Sequence, residues 1–571
     1  MKPLQLTVWT SFLAAWGLIS VSGMAQDTQR ERPEAWRALV YGGRFMDRFL
    51  PSPVRNPLTS GTWGVDAVKP RDVLIGIEEP DWSYWGGNIK QVGDAYHLFV
   101  CRWPEGHPKG HMAWPESEVV HAVAPHSWGP FKAVQVIGPG HNPEIYRARD
   151  GSYVLYVIGG YYHAPAIAGP WTRKTFSFNP RGRRIIEGLS NLSFAPREDG
   201  SVLMVCRGGG IWVSEDGLGP WQQVSNRRVY PDVEGAFEDP VIWRTGVQYH
   251  MIVNDWRGRI AWYLRSKDGF EWKVDPGEAY MPGIDRYEDG TNVDWYKYER
   301  LKLLQDDHGR PYQANFAVID YSKWEDKPND IHSSKNITIP LTVERLIAVL
   351  DADPIRQDTR AIRLKVMAEA GFDPGKDMDL GSLRFGTPDE VNFGRGCRVT
   401  GSRADGDDLI LTFDGRGNGF TADHFAGKLL GRTPTGKLLF GYSRLPGVTY
   451  GDAFLSADLP RVHLENGRLQ VRLDIKNVGL TASRAGELIV RFQAGNVDHA
   501  FSLPAPSLTP LQETTLTGFP PFELDPELAY QVKVTASWQK IPLFETEPHK
   551  KAPLLKVEAA SPGPDGAPQN P

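Results

Sequence analysis

Residues 141–157 read HNPEIYRARDGSYVLYV, and residues 191–205 read NLSFAPREDGSVLMV. In each, a short β-rich run meets an Asp-Gly pair and a second apolar run follows. Asp-Gly between such runs is a hairpin signal, because glycine accepts the positive φ that a tight turn needs. The same order recurs at WGGNIKQVGDAYHLFV (85–100), EDPVIWRTGVQYHMIV (238–253) and YERLKLLQDDHGRPYQANFAVI (298–319). The turns fall at Gly93-Asp94, Asp150-Gly151, Asp199-Gly200, Thr245-Gly246 and His308-Gly309. They are spaced roughly 45 to 65 residues apart, near the length of a four-stranded propeller blade. A second motif answers the first at Trp128-Gly129-Pro130-Phe131, Gly169-Pro170-Trp171, Gly219-Pro220-Trp221 and Asp268-Gly269-Phe270-Glu271-Trp272, each an outer-strand turn with a packing aromatic. Five copies predict an all-β protein with a five-bladed β-propeller over residues 70–345. A β-sandwich with coincidental turns is the alternative.

Outside the repeats the texture changes. Residues 1–25 read as a signal peptide: Lys2, an uncharged run from Leu4 to Val21, and small residues ending at Ala25. No Cys follows that point to carry a lipid, so the mature chain is expected in the periplasm or secreted, with no membrane contact after cleavage. An N-terminal extension covers 26–69. Ser334 to Val349 reads as a linker. Residues 346–450 and 455–558 read as two β-sandwich domains, the second immunoglobulin-like, with alternating runs at Leu469–Ile475 and Gly486–Phe492 around Asn477-Val478-Gly479. The Pro/Gly-rich stretch 559–571 reads as a disordered tail.

The chain has 571 residues and a net charge of −5. So small a charge argues against nucleic-acid binding, which needs a basic face. Trp 19, Tyr 20 and Phe 24 make aromatic surfaces available to sugar rings. Cys101, Cys206 and Cys397 are an odd set for an exported chain. Cys101 and Cys206 end second strands of blades 1 and 3, so the intervening blade forbids a bond between them. No Cys-x-x-Cys, His-Glu-x-x-His, phosphate-binding loop or Gly-x-Ser-x-Gly elbow is present.

Inner strands of a propeller line its channel, so polar residues at their starts converge. Counting eleven back from Tyr153, Val202 and Tyr249 gives Asn142, Asn191 and Glu238 as equivalent positions. Blade 1 offers Asn88, with Glu78, Glu79 and Asp81 before it; blade 5 offers Glu299 and Arg300. Glu144, Asp239, Asn254, Asp255 and Arg207 are neighbours, His141 and His163 are further candidates, and Trp82, Tyr84 and Trp85 edge the funnel. Carboxylates gathered beside aromatics suit glycoside cleavage, where one acid protonates the leaving oxygen and one carboxylate attacks or activates water. A carboxylate-lined channel also admits a calcium ion, though no cofactor is required and no metal ligands are assigned.

The repeat count, the Glu238-Asp239-Pro240 segment and the Gly-Pro-Trp returns resemble the five-bladed propeller glycosidases of glycoside hydrolase families 43, 117 and 130. The resemblance spans about 240 residues, roughly five blades' length. It implies an acid at Glu238, an auxiliary carboxylate at Glu144 and a base at the opening of blade 1, where this chain has Gly86-Gly87-Asn88. Asp81, Glu79 or Glu78 is then expected to reach in from the preceding loop. The catalytic candidates are Glu238, Asp239, Glu144 and Asp81. The substrate-binding candidates are Trp85, Asn88, His141, Asn142, Asn191, Arg207, Asp255 and Glu299. The expected function is cleavage of a plant or algal polysaccharide or its oligosaccharides. A non-catalytic carbohydrate-binding propeller is the alternative, and a lyase or phosphorylase on the same fold a second.

Overall fold

The structure, a computed structural model, describes residues 29–58, 69–186, 188–320, 322–324, 334–465 and 468–546. The signal peptide and the tail lie outside the described residues, and no helix among them is long and apolar enough to cross a membrane.

Each hairpin read from the sequence opens an antiparallel sheet. Blade 1 runs Trp82–Val92, Ala95–Pro104, Glu118–Ala124 and Lys132–Pro139, in that spatial order. Blade 2 is Glu144–Arg147, Tyr153–Val157, Gly160–Ala164 and Thr172–Lys174. Blade 3 is Ser193–Pro196, Val202–Val205, Ile211–Ser214 and Trp221–Gln223, extended by Phe178–Asn179 in parallel. Blade 4 is Phe237–Arg244, Tyr249–Asp255, Ile260–Ser266 and Lys273–Tyr280. Blade 5 has three strands, Lys297–Gln305, Pro311–Ile319 and Lys335–Pro340. The expected linker from Ser334 therefore begins inside the propeller, because the alternating run Lys335–Pro340 pairs with Pro311–Ile319.

The first strands touch one another in the order 1, 2, 3, 4, 5 and back to 1, so the five sheets surround one axis. The segment before blade 1 helps close the ring. Gly76 exchanges backbone hydrogen bonds with Trp128 and Phe131 at the outer edge of blade 1, while Ile77 bridges Asn336 of blade 5. Second strands are buried on both faces, which is why they read as unbroken apolar runs such as Leu98–Cys101 and Val202–Val205. Aromatics fill the wedges between blades: Tyr146, Phe194, Trp212 and Trp221 between blades 2 and 3, and Trp243, Tyr280 and Phe316 between blades 4 and 5. All three cysteines are free and buried.

One backbone feature repeats in every blade. Gly86, Asn142, Asn191, Asp239 and Arg300 all have φ between 52° and 65°. Each lies two residues before the strand residue that pairs across the hairpin: Asn88 with Phe99, Glu144 with Tyr156, Ser193 with Val205, Val241 with Ile252, and Lys302 with Asn315. This corrects the expected register. Asp239, not Glu238, is equivalent to Asn142 and Asn191. The loop of blade 4, residues 245–248, is one residue shorter than 148–152 or 197–201, so a fixed count back overshoots by one.

The first accessory unit is a seven-stranded antiparallel sheet folded on itself, with Ile347–Val349 returning beside Leu438–Arg444 around a core that includes Leu364, Phe385, Leu411 and Leu429. The second is two four-stranded sheets enclosing Leu473, Val490, Phe492 and Val534. It docks on blade 3, where the buried Arg183 guanidinium donates to the Ala457 carbonyl at 2.9 Å and the Leu543 carbonyl at 2.5 Å. The N-terminal extension is packed as well: Phe45 sits against Trp243 and Tyr263 of blade 4.

Candidate active site

The left-handed residue turns the chain so that its predecessor faces the upper mouth of the channel. Those predecessors are Trp85, His141, Ser190, Glu238 and Glu299. The mouth therefore holds two carboxylates side by side, from blades 4 and 5. One oxygen each of Glu238, Asp239 and Glu299 lies within 4.8 Å of the others. Every one of the three has a cation: Arg207 Nη2 is 3.3 Å from Glu238, Arg300 Nη1 is 2.6 Å from Asp239, and Lys323 pairs with Glu299. The Glu238 side chain is 12% exposed; Glu299 is 1% exposed.

These surroundings push the two glutamates apart. Glu238 is raised to about 7, by burial first and then by the charges of Asp239 and Glu299, against Arg300 and Lys323. Burial pushes Glu299 up too, but Lys323, Lys297 and Arg300 outweigh it and hold the group below its ordinary value. Glu238 is therefore the member of the pair that holds a proton, and Glu299 the one that stays an anion. Beside them, Asn254 Nδ2, Tyr280 Oη and Glu299 Oε1 are buried without a hydrogen-bond partner among the described residues. They line a hole of about 10 Å³, the size of one water.

The other candidates go elsewhere. Asn142 donates to Asn191 Oδ1 at 3.3 Å, and Asn191 donates to Asp239 Oδ1 at 3.1 Å. With the Asp239–Arg300 ion pair these side chains form a belt across the axis, so Asp239, Asn142 and Asn191 are structural closures rather than free functional groups. Only about 10 Å³ is left in the channel at that level. Glu144 lies on the far side of the belt. It accepts from Ser193 Oγ at 2.9 Å and Phe194 N–H at 3.0 Å and pairs with Lys302. It does not reach Glu238's group. Asn88 is on the same far side and its Oδ1 accepts the Ile145 N–H at 3.0 Å.

Blade 1 supplies no carboxylate to the mouth. Asp81 is exposed at the strand's start, Glu78 is paired with Arg71, and Glu79 accepts from Tyr84 Oη at 2.7 Å. Where a base was expected, Gly86 and Gly87 leave room for Asn336 and Asn315 to donate to their carbonyls. Trp85, 1% exposed, packs on His111 with Lys323 Nζ 5.1 Å from its ring, so it is a wall and not a sugar platform. Asp255 is also structural: it accepts the N–H groups of Ala236 and Gly258 and pairs with Arg30 at 2.9 Å. His163 is hydrogen-bonded to Ser152 on an outer strand.

His141 remains at the mouth. Ser117 Oγ, which lies 2.6 Å from the Trp114 carbonyl and 3.1 Å from the Gly140 carbonyl, is 2.9 Å from His141 Nδ1 and anchors the ring. Burial, then Arg300 and Lys323, hold this imidazole well below its ordinary value, so it is neutral. Lys323 and Tyr280 were not legible as site residues. The first follows Ile319 much as Arg207 follows Val205, which is the one signal that marks it.

Three converging carboxylates raise the question of a metal. A divalent cation would have to displace Arg207, Arg300 and Lys323, which already neutralise the three charges.

No family model matches the chain, and no curated protein does. Solved structures similar to it include Zg3597, a family 117 glycoside hydrolase of the marine bacterium Zobellia galactanivorans, at 13% identity over 47% of this chain and 88% of that one, with a TM-score of 0.34. An alpha-L-arabinofuranosidase from Lactobacillus brevis is 11% identical over 45% of this chain and 90% of its own, with a TM-score of 0.31. A GH43_1 enzyme from Xanthomonas citri is 11% identical over 46% and 88%, with a TM-score of 0.28. Similarity at that level carries no residue role across.

Proposed function

We propose that this chain is an exported glycoside hydrolase in which Glu238 protonates the leaving oxygen and ionised Glu299 acts on the sugar carbon. The observation that carries the reading is the split of the pair: Glu238 raised to about 7, Glu299 held below its ordinary value. Adjacent carboxyls driven to opposite states are what acid and nucleophile roles require. One oxygen of each lies within 4.8 Å of the other, so both carboxyls can reach a single glycosidic bond. The substrate class, a plant or algal polysaccharide or its oligosaccharides, rests on the expected export and on the aromatics near the carboxylates in the sequence.

The test is Glu238→Gln on two substrate types. Turnover of a natural oligosaccharide should fall about 10²–10⁴-fold, the usual contribution of general acid catalysis. An aryl glycoside with a good leaving group needs less protonation and should lose far less. Wild-type activity should decline as pH rises through about 7, because the protonated form is the donor. Near-full activity of the variant on both substrates would make Glu238 structural.

A second reading, a carbohydrate-binding propeller without turnover, is favoured by the deep burial of Glu299 and by the cations already on both glutamates. Saturable oligosaccharide binding with no product, in wild type, would establish it.

A further inference from the structure

A large cavity lies at the other end of the channel. It holds about 1010 Å³, begins just below the side-chain belt and widens between the propeller and the first accessory unit. Its apex is a cluster of two ammonium groups and one carboxylate. Both oxygens of Glu144 are engaged there, Oε1 by Ser193 and Phe194 and Oε2 by Lys302. Lys90, two residues along the inner strand from Asn88, faces the same cavity and makes no hydrogen bond to a described residue. The apex therefore carries one cation more than it can neutralise.

Of the wall carboxylates only Asp307, exposed in the turn between Asp306 and Arg310, has no ion pair among the described residues; the others are engaged or buried. Asp306 is held by Arg310 at 2.7 Å, and the Glu344 backbone lies against Arg310 as well. The Glu344 carboxyl is raised to about 7 by burial. Burial lowers Lys90 below its ordinary value, and Lys302 adds to this against the pull of Glu144, as expected for an ammonium short of a counter-charge. The belt of Asn142, Asn191, Asp239 and Arg300 seals the apex from the upper mouth, so an occupant must enter from the cavity side.

We propose that this cavity is a second binding site, taking an oxyanion at Lys90 and Lys302, either free or as the carboxylate or sulfate of an acidic saccharide. The site shares no residue with the Glu238–Glu299 pair, and its existence does not depend on the reading of that pair.

Calorimetric titration of the full mature chain at fixed ionic strength tests it with three probes: sodium sulfate, D-glucuronate and D-glucose. Sulfate or glucuronate should bind saturably, and glucose should not. Lys90→Gln should weaken oxyanion binding at least about tenfold, the scale of a charge-assisted hydrogen bond. Lys90→Arg should keep binding, and Glu238→Gln should leave it unchanged. Tighter binding of glucuronate than of sulfate assigns the saccharide; equal or weaker binding assigns the free ion. As a check free of folding defects, the oxyanion should protect Lys90 of wild type from amine acetylation, read by peptide mass. Absence of binding by both anions, binding undiminished in Lys90→Gln, or no protection of Lys90 would each overturn the site.

Discussion

Burial raises a carboxyl because the charged form loses water. Glu238 and Glu299 both suffer this, and what separates them is the cations each one faces. Glu299 has Lys323 and Lys297; Glu238 has the like charges of Asp239 and Glu299 ahead of Arg300. The sign for stability follows. Glu238 moves up from 4.5 to about 7, so the folded chain holds the proton more tightly than the unfolded chain. That costs nothing below pH 4.5, grows as pH rises through the window up to about 7, and reaches on the order of 3 kcal/mol above it. Glu238→Gln removes the cost, so its melting temperature should gain on wild type between pH 5 and pH 8. A pH-independent difference in calorimetric scans would show that Glu238 is not raised. Glu238 was legible because it opens a repeat. Asp255 was misread as a sugar ligand because its partner, Arg30, is 225 residues away in sequence. Lys323 was missed because it lies beyond the end of the second strand of blade 5, 24 residues from Glu299, and meets it only once that blade's hairpin has formed.

At the scale of the strand, a left-handed residue opens every blade. The sequence signals it where Asn or Gly stands, since those types tolerate positive φ at least cost. Asp239 carries a weaker signal of the same kind, since Asp also tolerates positive φ, and Arg300, ion-paired to it, carries none. The one-residue slip in blade 4 has another cause, the loop 245–248 being one residue shorter than its counterparts. Gly86 is the informative position. A Cβ there meets nothing nearer than 3.9 Å, so only φ restricts it. Gly86→Asn should leave stability nearly unchanged, as Asn142 and Asn191 already do this in their blades. Gly86→Val should cost about 1–2 kcal/mol or more, because a β-branched residue resists that region. Equal urea midpoints for the two variants would contradict a backbone origin.

Across the whole molecule, the five blades were legible from their turns, and both accessory units from their alternation. The docking of those units was not, because contacts between units leave no period in the sequence. Arg183 carries much of it: its guanidinium is buried and donates to Ala457, Leu543, Ser456 Oγ and Asn226 Oδ1. Arg183→Ala would strand those neutral acceptors and cost about 1–3 kcal/mol, the scale for leaving a buried acceptor unsatisfied. The C-terminal unit should then melt separately from the propeller, giving an extra calorimetric transition; an unchanged single profile would show that Arg183 is not the link. The propeller's purpose, on this reading, is to bring a protonated and an ionised glutamate together from two blades at one mouth. Infrared difference titration of wild type against Glu238→Gln measures this directly and needs no substrate. A carboxylic C=O band that disappears with a midpoint near pH 7 in wild type, and is missing from the variant, is the predicted result. A Glu238 band that titrates near 4.5, the value of a solvated glutamate, would contradict it.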